Sequence, residues 1–365
     1  MQLNLSLALM PIAPLVLALP IQALSAVKPP SPSIQKLLSL TGKVRKKIPG
    51  SNLHKKAWTN WCGLAIDCIK EELSLNLPYP VDALTTENLA FQLGVAADEG
   101  DRPSFADAGS RSGYAMDFFC RAKRLADMFV VHEGRFPEFY TLQMNKLTNK
   151  TDVCRITSIG GGPGFDFTAL ALAQSFTGSN FAIEGTVYDF EDGWSDLVDA
   201  MCLSTNQVLQ QTFRSKTTCH FGGKCDITKS FRDSSNASLR VLAADIIVCQ
   251  YCVAENAKLL RENDFIFFRD LFDHAKEGAI IILTETTHRL WPDFVDLAPS
   301  DFQVAFVRSR GIQLVLHKQA HSHYVRPNML IIDKMKQDAR DHELKMEAGY
   351  ERQQPRSIPP GASPE

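Results

Sequence analysis

The stretch RITSIGGGPGFDFTALALA, residues 155–173, sets three consecutive glycines and a Pro-Gly pair between an apolar run and a helix-like segment. A glycine-rich turn between a strand and a helix lets a ligand lie against backbone N–H groups at the helix N-terminus. The spacing narrows the ligand. No Gly-Lys-Ser/Thr follows, so the turn is not a Walker loop. Counted as G-x-G-x-x-G from Gly160, the third small position falls on Phe165. A phenyl ring there would block the close helix–strand packing that a dinucleotide fingerprint needs. The pattern that fits is G-x-G-x-G, on Gly160, Gly162 and Gly164.

Outward from this turn the chain alternates. Residues 153–159 read as a strand and 166–176 as a helix. NFAIEGTVYDF, TTCHFGGKCDI, LRVLAADIIVCQY and AIIILTETT read as further strands, separated by the helical segments GWSDLVDAMCLSTNQVLQQTF and DFIFFRDLFDHAKEG. FQVAFVRSRGIQLVLHK and NMLIIDKM close the series as an antiparallel edge. Alternation with solid apolar strands predicts an α/β fold, a doubly wound and mostly parallel sheet covered on both faces. Upstream, residues 57–150 read as helical, with apolar residues three and four apart in WTNWCGLAIDCIKEEL and YAMDFFCRAKRLADMFV. AADEGDRPSFADAGSRSG between them reads as loop. The core domain is placed at 151–335, followed by a polar helix and an irregular tail over 336–365.

The G-x-G-x-G turn after RITSI and before an apolar helix resembles the first motif of the class I S-adenosylmethionine-dependent methyltransferases. The order of elements from 153 to 333 matches that family's seven-stranded, Rossmann-like sheet, so the resemblance covers about half the chain. It departs at Ser158, where the family usually carries an acid two residues before the first glycine; the Ser158 hydroxyl can still accept a hydrogen bond from the ammonium end of the cofactor, without contributing charge. The resemblance implies S-adenosylmethionine as methyl donor. By the same resemblance, Asp189 takes the ribose hydroxyls, Phe190 covers the adenine, Asp226 faces the adenine amino group and Ile227 gives apolar cover. Cys249, Gln250 and Tyr251 would then lie beside the transferable methyl.

The acceptor side is less marked. Asn/Asp-Pro-Pro-Tyr/Phe, common where exocyclic amines or glutamine are methylated, is absent; the slot reads Cys249-Gln-Tyr-Cys252. The Pro-Cys pair of pyrimidine C5 methylation is missing too. One Cys-x-x-Cys pair is a weak metal signal, even with Cys219, His220 and Cys225 in the neighbouring strand, and no metal is expected. His317, His321 and His323 read as a solvated turn. Tyr251, Glu255, Asn256 and His288 follow the fourth and fifth strands, whose carboxyl ends face the ligand in such a sheet. They are the acceptor-side candidates, with His288 able to act as a base at neutral pH. Trp194, Phe165 and the segment 114–124 are expected to wall the pocket.

Charge is unevenly spread. The chain carries 39 basic and 41 acidic residues, yet the first 66 residues hold eight basic residues and no acid. From Asp67 onward, 31 basic residues stand against 41 acidic ones, a net of −10. A polyanion would be repelled by that region, which favours a small-molecule acceptor. A second reading is an RNA methyltransferase, from a faint similarity to eukaryotic rRNA uridine-N3 enzymes, with the basic residues 43–56 holding phosphates. A third is a non-catalytic cofactor-binding scaffold. Residues 1–26 end in Ala-Leu-Ser-Ala after an apolar run, a signal-peptide pattern. Residues 27–56 are basic and hydroxylated, like a transit or linker segment. Together they resemble the two-part leaders of plastid proteins in algae with secondary plastids, although Val27 stands where those leaders usually have an aromatic residue. Nine cysteines, an odd number in mostly apolar contexts, suit a reducing compartment.

Overall fold

The structure is a computed structural model. It describes residues 31–44, 52–99, 103–131, 153–179, 181–210, 217–241, 243–308, 312–319 and 329–353. Residues 1–26, His321 and His323 lie outside them.

Seven strands form one sheet: β1 (Val153–Ile159), β2 (Ala182–Asp189), β3 (Thr217–Lys224), β4 (Ile246–Gln250), β5 (Ile280–Thr284), β6 (Phe302–Arg308) and β7 (Ile312–Lys318). The spatial order is β3-β2-β1-β4-β5-β7-β6. Every pair is parallel except the two made by β7. The order reverses between β1 and β4, and that switch point is where a doubly wound sheet opens a crevice at its carboxyl edge. The central strands are buried on both sides, which is why they read as unbroken Ile and Val. On β4, Ile246 and Val248 face one core while Ile247 and Cys249 face the other.

Helices α1 (Pro32–Val44), α2 (Asn52–Asn76), α3 (Ala83–Glu99), α4 (Ala108–Asp117) and α5 (Cys120–Val130) precede the sheet. The first core joins them to α6 (Phe165–Thr177) and α7 (Ser195–Leu209). Trp58 and Trp61 of α2 are fully buried there. Their indole N–H groups reach Asp127 Oδ1 at 2.6 Å and Thr41 Oγ1 at 2.7 Å. Burial of each such ring contributes about 3 kcal/mol, so the helical region is part of the core. A packed helix, α1, with Ile34 and Leu37 buried, stands inside the stretch read as a transit or linker segment. The second core packs α8 (Ala257–Glu262), α9 (Ile266–His274), α10 (Trp291–Leu297) and α11 (Met329–Gln353) on the other face.

Two expectations are corrected. NMLIIDKM begins α11 and is not a strand; Ile332, Met335 and Ala339 are buried at helical spacing. The antiparallel edge lies wholly within residues 302–318. The stretch read as loop also holds the start of α4, which Asp107 caps by accepting from the Ser110 N–H.

Candidate functional site

The carboxyl ends of β1, β2 and β4 open into a cavity of about 300 Å³, within the usual range for a small-ligand pocket. Gly160, Gly162, Asp189, Phe190, Ile227, Tyr251 and Glu255, all singled out in the sequence, line it. Asn256, Tyr114, Arg121 and Trp194 do so as well. Leu93 of α3 and residues Pro103 to Phe105 close it from above.

One lip is made of backbone. Gly160, Gly162 and Gly164 have φ of +62°, +51° and +92°, a region that glycine alone adopts without strain. A Cβ on Gly160 would come within 2.8 Å of Cys252 Sγ. Asp189 ties this loop down. Its Oδ2 accepts from the Gly162 N–H at 2.9 Å and its Oδ1 from the Glu191 N–H at 3.1 Å. Burial pushes the Asp189 carboxyl up to about 6, against those hydrogen bonds. Phe190 is exposed beside it, with Lys224 Nζ 5.0 Å over its ring.

The other lip is made of side chains. Tyr251 turns out of β4 at φ +57°, and this kink re-aims the chain into the cavity. The turn after it is held from β5. Glu285 Oε1 accepts from the Val253 and Ala254 N–H groups at 2.8 and 3.0 Å, and Asn256 Nδ2 donates to the Cys252 carbonyl at 2.7 Å. Burial pushes Glu285 up to about 7. From the helical region, Arg121 of α5 lays its guanidinium 4.3 Å from the centre of the Tyr251 ring and 5.0 Å from that of Tyr114.

The remaining sequence candidates lie elsewhere. Ser158 and Gln250 are buried beneath the loop and meet Asp166 of α6, where both hydrogen-bond its carboxyl; Thr284 donates to Gln250 Oε1 at 3.2 Å. Burial pushes Asp166 up to about 6. Gly164 caps α6. Cys249 points into the second core, its sulfur 2.9 Å from that of Cys252. Asp226 Oδ1 is taken up by the N–H and hydroxyl of Thr228. His288 turns to α11, its Nε2 3.1 Å from Asp338 Oδ2, and is not among the cavity's lining residues. Phe165 packs on Phe119 and Tyr114 behind the wall. The alternation of β4 explains part of this. Residues at 249 and 250 are fixed within the sheet layers, and only the kinked Tyr251 escapes them. Glu285 and Asp166 were missed, because a buried carboxyl acting on backbone or amide partners leaves no local motif. Among the described residues, no group of three or more His, Cys, Asp and Glu side chains is placed to hold a metal ion. No described helix is long and apolar enough to cross a membrane.

The sequence matches no protein-family model and no curated protein. Several solved structures are similar at fold level. MNMC2 from Aquifex aeolicus is 14% identical over 52% of this chain, at a TM-score of 0.32, and the match spans 60% of that protein's length. A putative class I S-adenosylmethionine-dependent methyltransferase from Listeria monocytogenes is 12% identical over 80% of this chain and 90% of its own, at a TM-score of 0.32. DszA carbon methyltransferase is 11% identical over 81% and 89%, at 0.33. At these values the likeness carries no activity across. The strand order, the antiparallel β7 and the Gly-x-Gly-x-Gly turn after β1 are, by themselves, those of the class I methyltransferase fold.

Proposed function

We propose that this chain is an S-adenosylmethionine-dependent methyltransferase acting on a small-molecule acceptor. The observation that carries the reading is one cavity bounded by two left-handed glycines, Gly160 and Gly162, on one side and by Asp189, Phe190 and Ile227 on the other. Asp189 already holds the loop through one bond at each oxygen, and a carboxylate offers about four acceptor positions. The acceptor positions those bonds leave suit the hydroxyls of a ribose. Phe190 and Ile227 supply apolar cover for a flat base. The cofactor would supply an electrophilic methyl group.

The chain's own residues do the rest. Tyr114, Trp194 and Phe105 form a contiguous aromatic wall, with ring centres 5.2 to 5.6 Å apart, that keeps water from the transfer path. Glu255 and Asn256 line the cavity where it would take an acceptor, and Glu255 offers a carboxylate base for its proton. The enclosure by α3 and residues 103–105 favours a small acceptor over a nucleic acid. We place the chain on the secretory route, with an organelle such as a plastid as its destination. Removal of the leader before Pro32 would keep α1; mass spectrometry of the mature N-terminus tests this.

The test of function is calorimetric titration with S-adenosylhomocysteine, then incubation with labelled methyl donor and fractionated metabolite or RNA pools. Asp189→Ala is expected to abolish cofactor binding, and unchanged affinity would refute the assignment. Label appearing in RNA alone would replace the small-molecule reading with the RNA one.

A further inference from the structure

Among the described residues, Arg121 is the only basic one lining the cavity, together with the acidic Asp189, Glu191 and Glu255. Its guanidinium makes no ion pair or hydrogen bond with any described residue. Three rings hold it, those of Tyr251, Tyr114 and Phe118, with centres 4.3, 5.0 and 5.6 Å away. Aromatic faces attract and orient a guanidinium but leave its five N–H donors unspent. A cation fixed in this way on a cavity wall is preorganised for a planar anion with two oxygens.

Two anions could meet it, the amino-acid carboxylate of the cofactor or a group on the acceptor. Position favours the acceptor. The side chains against the two lining glycines are Tyr114 and Trp194, which a Cβ on Gly162 would meet at 3.6 and 3.8 Å, and Cys252 beside Gly160. Arg121 touches both sides, 5.0 Å from the centre of the Tyr114 ring and 4.3 Å from that of Tyr251, and stands nearer Tyr251, beyond the end of β4. Charge narrows the group further. Three acids line the cavity, and the cations on the Tyr251 ring are Arg121 and, 5.0 Å from its centre, Arg124; against that balance a singly charged carboxylate is favoured over a dianionic phosphate.

Resting on the methyltransferase reading, we infer that Arg121 binds a carboxylate of the acceptor, and that the methyl group goes to a different atom, on the Glu255 and Asn256 side. The substrate class is a small carboxylic acid carrying a second nucleophile, such as an amine or hydroxyl. Arg121 is then a specificity residue.

The experiment uses the full chain and Arg121→Met, which keeps the stem packed on the rings. Calorimetry with S-adenosylhomocysteine should give affinities within about twofold of each other. If Arg121→Met weakens S-adenosylhomocysteine at least tenfold but leaves 5′-methylthioadenosine, which lacks the carboxylate, unchanged, Arg121 serves the cofactor and the proposal falls. Labelled methyl donor is then supplied with a small-molecule extract and the products are separated on an anion exchanger. Wild-type product should be retained. Its yield should drop about 100-fold in Arg121→Met and recover in part in Arg121→Lys. A neutral or cationic product, a methyl ester included, overturns the proposal, as does cofactor binding without transfer to any fraction. Failure of the wild type to bind S-adenosylhomocysteine refutes the methyltransferase reading itself.

Discussion

The two lips of the cavity are built on different principles. The β1–β2 lip is a backbone device, with three glycines at positive φ pinned by Asp189 within 30 residues of sequence. The β4–β5 lip is assembled from side chains drawn from distant parts of the chain, Arg121 from α5, Tyr251 and Glu255 after β4, and Glu285 after β5. A lip made of backbone fails when a Cβ is added. A lip made of side chains fails when one functional group is removed, and only in the step that group serves.

The largest effect should come from Gly160→Val. It forces a branched residue to φ +62° and drives its Cβ to within 2.8 Å of Cys252 Sγ, into the cavity wall. S-adenosylhomocysteine affinity should fall more than about 100-fold, since strain of roughly 1–3 kcal/mol adds to a lost contact surface. Gly278 is the control. It has φ +79° but open space around it. Gly278→Ala should therefore cost about 1 kcal/mol of stability and leave binding untouched. Equal binding loss in both variants would mean that the loop matters only for folding.

The other lip is probed next by Glu285→Ala. It strands two buried N–H groups, those of Val253 and Ala254, at about 1–3 kcal/mol each. We expect unfolding free energy to fall by about 2–4 kcal/mol in urea denaturation, and methyl transfer to fall more than cofactor binding. Glu285→Gln keeps an acceptor oxygen at the same place and should retain most of both. If Gln behaves as Ala does, the charge and not the hydrogen bonds holds the turn.

The same contrast explains what the sequence discloses. Strand β1 and the glycine turn are legible because local conformation dictates residue type. The elements of the sheet follow from their apolar runs, and Asp189 follows from its place at the end of β2. Arg121 and Glu285 are not legible as individuals. An arginine on an amphipathic helix and an acid after a strand are ordinary until tertiary packing brings one onto Tyr251 and the other under residues 253–254. Ser158 and Gln250 show the converse. Their positions suit cofactor contact, but the buried Asp166 claims both from below. NMLIIDKM is misread because a short apolar run fits a strand as well as a helix, and only burial of Ile332, Met335 and Ala339 decides.

A smaller effect separates the lips by pH. Asp189 sits at about 6, and ribose hydroxyls prefer its ionised form. Affinity for S-adenosylhomocysteine should rise about tenfold between pH 5 and pH 7 and then level off. Stability should move the other way. Asp166, Asp189 and Glu285 all have carboxyls raised by burial, to about 6, 6 and 7. Between the ordinary carboxyl range near 4 and those values, the folded state holds more protons than the unfolded one. Stability is then fullest below about pH 4 as far as these groups are concerned, and their contribution is lost as pH rises toward 7. Asp189→Asn should remove the pH dependence of binding while leaving the Asp166 and Glu285 share of the stability slope in place.

The smallest effect is expected at His288. Its ring meets Asp338 of α11 at 3.1 Å, with the two side chains 30% and 43% exposed. Such surface pairs contribute between zero and about 1 kcal/mol. His288→Ala should therefore shift unfolding free energy by no more than about 0.5 kcal/mol and leave kcat/KM within about twofold. The result bears on the comparison because His288 follows β5, the strand that supplies Glu285. A tenfold loss of kcat in His288→Ala, with the acidic limb of the rate profile abolished, would put a base on the β5 side. The acceptor would then have to reach past Glu285, and the side-chain lip would extend one strand further than Tyr251 and Glu255 place it.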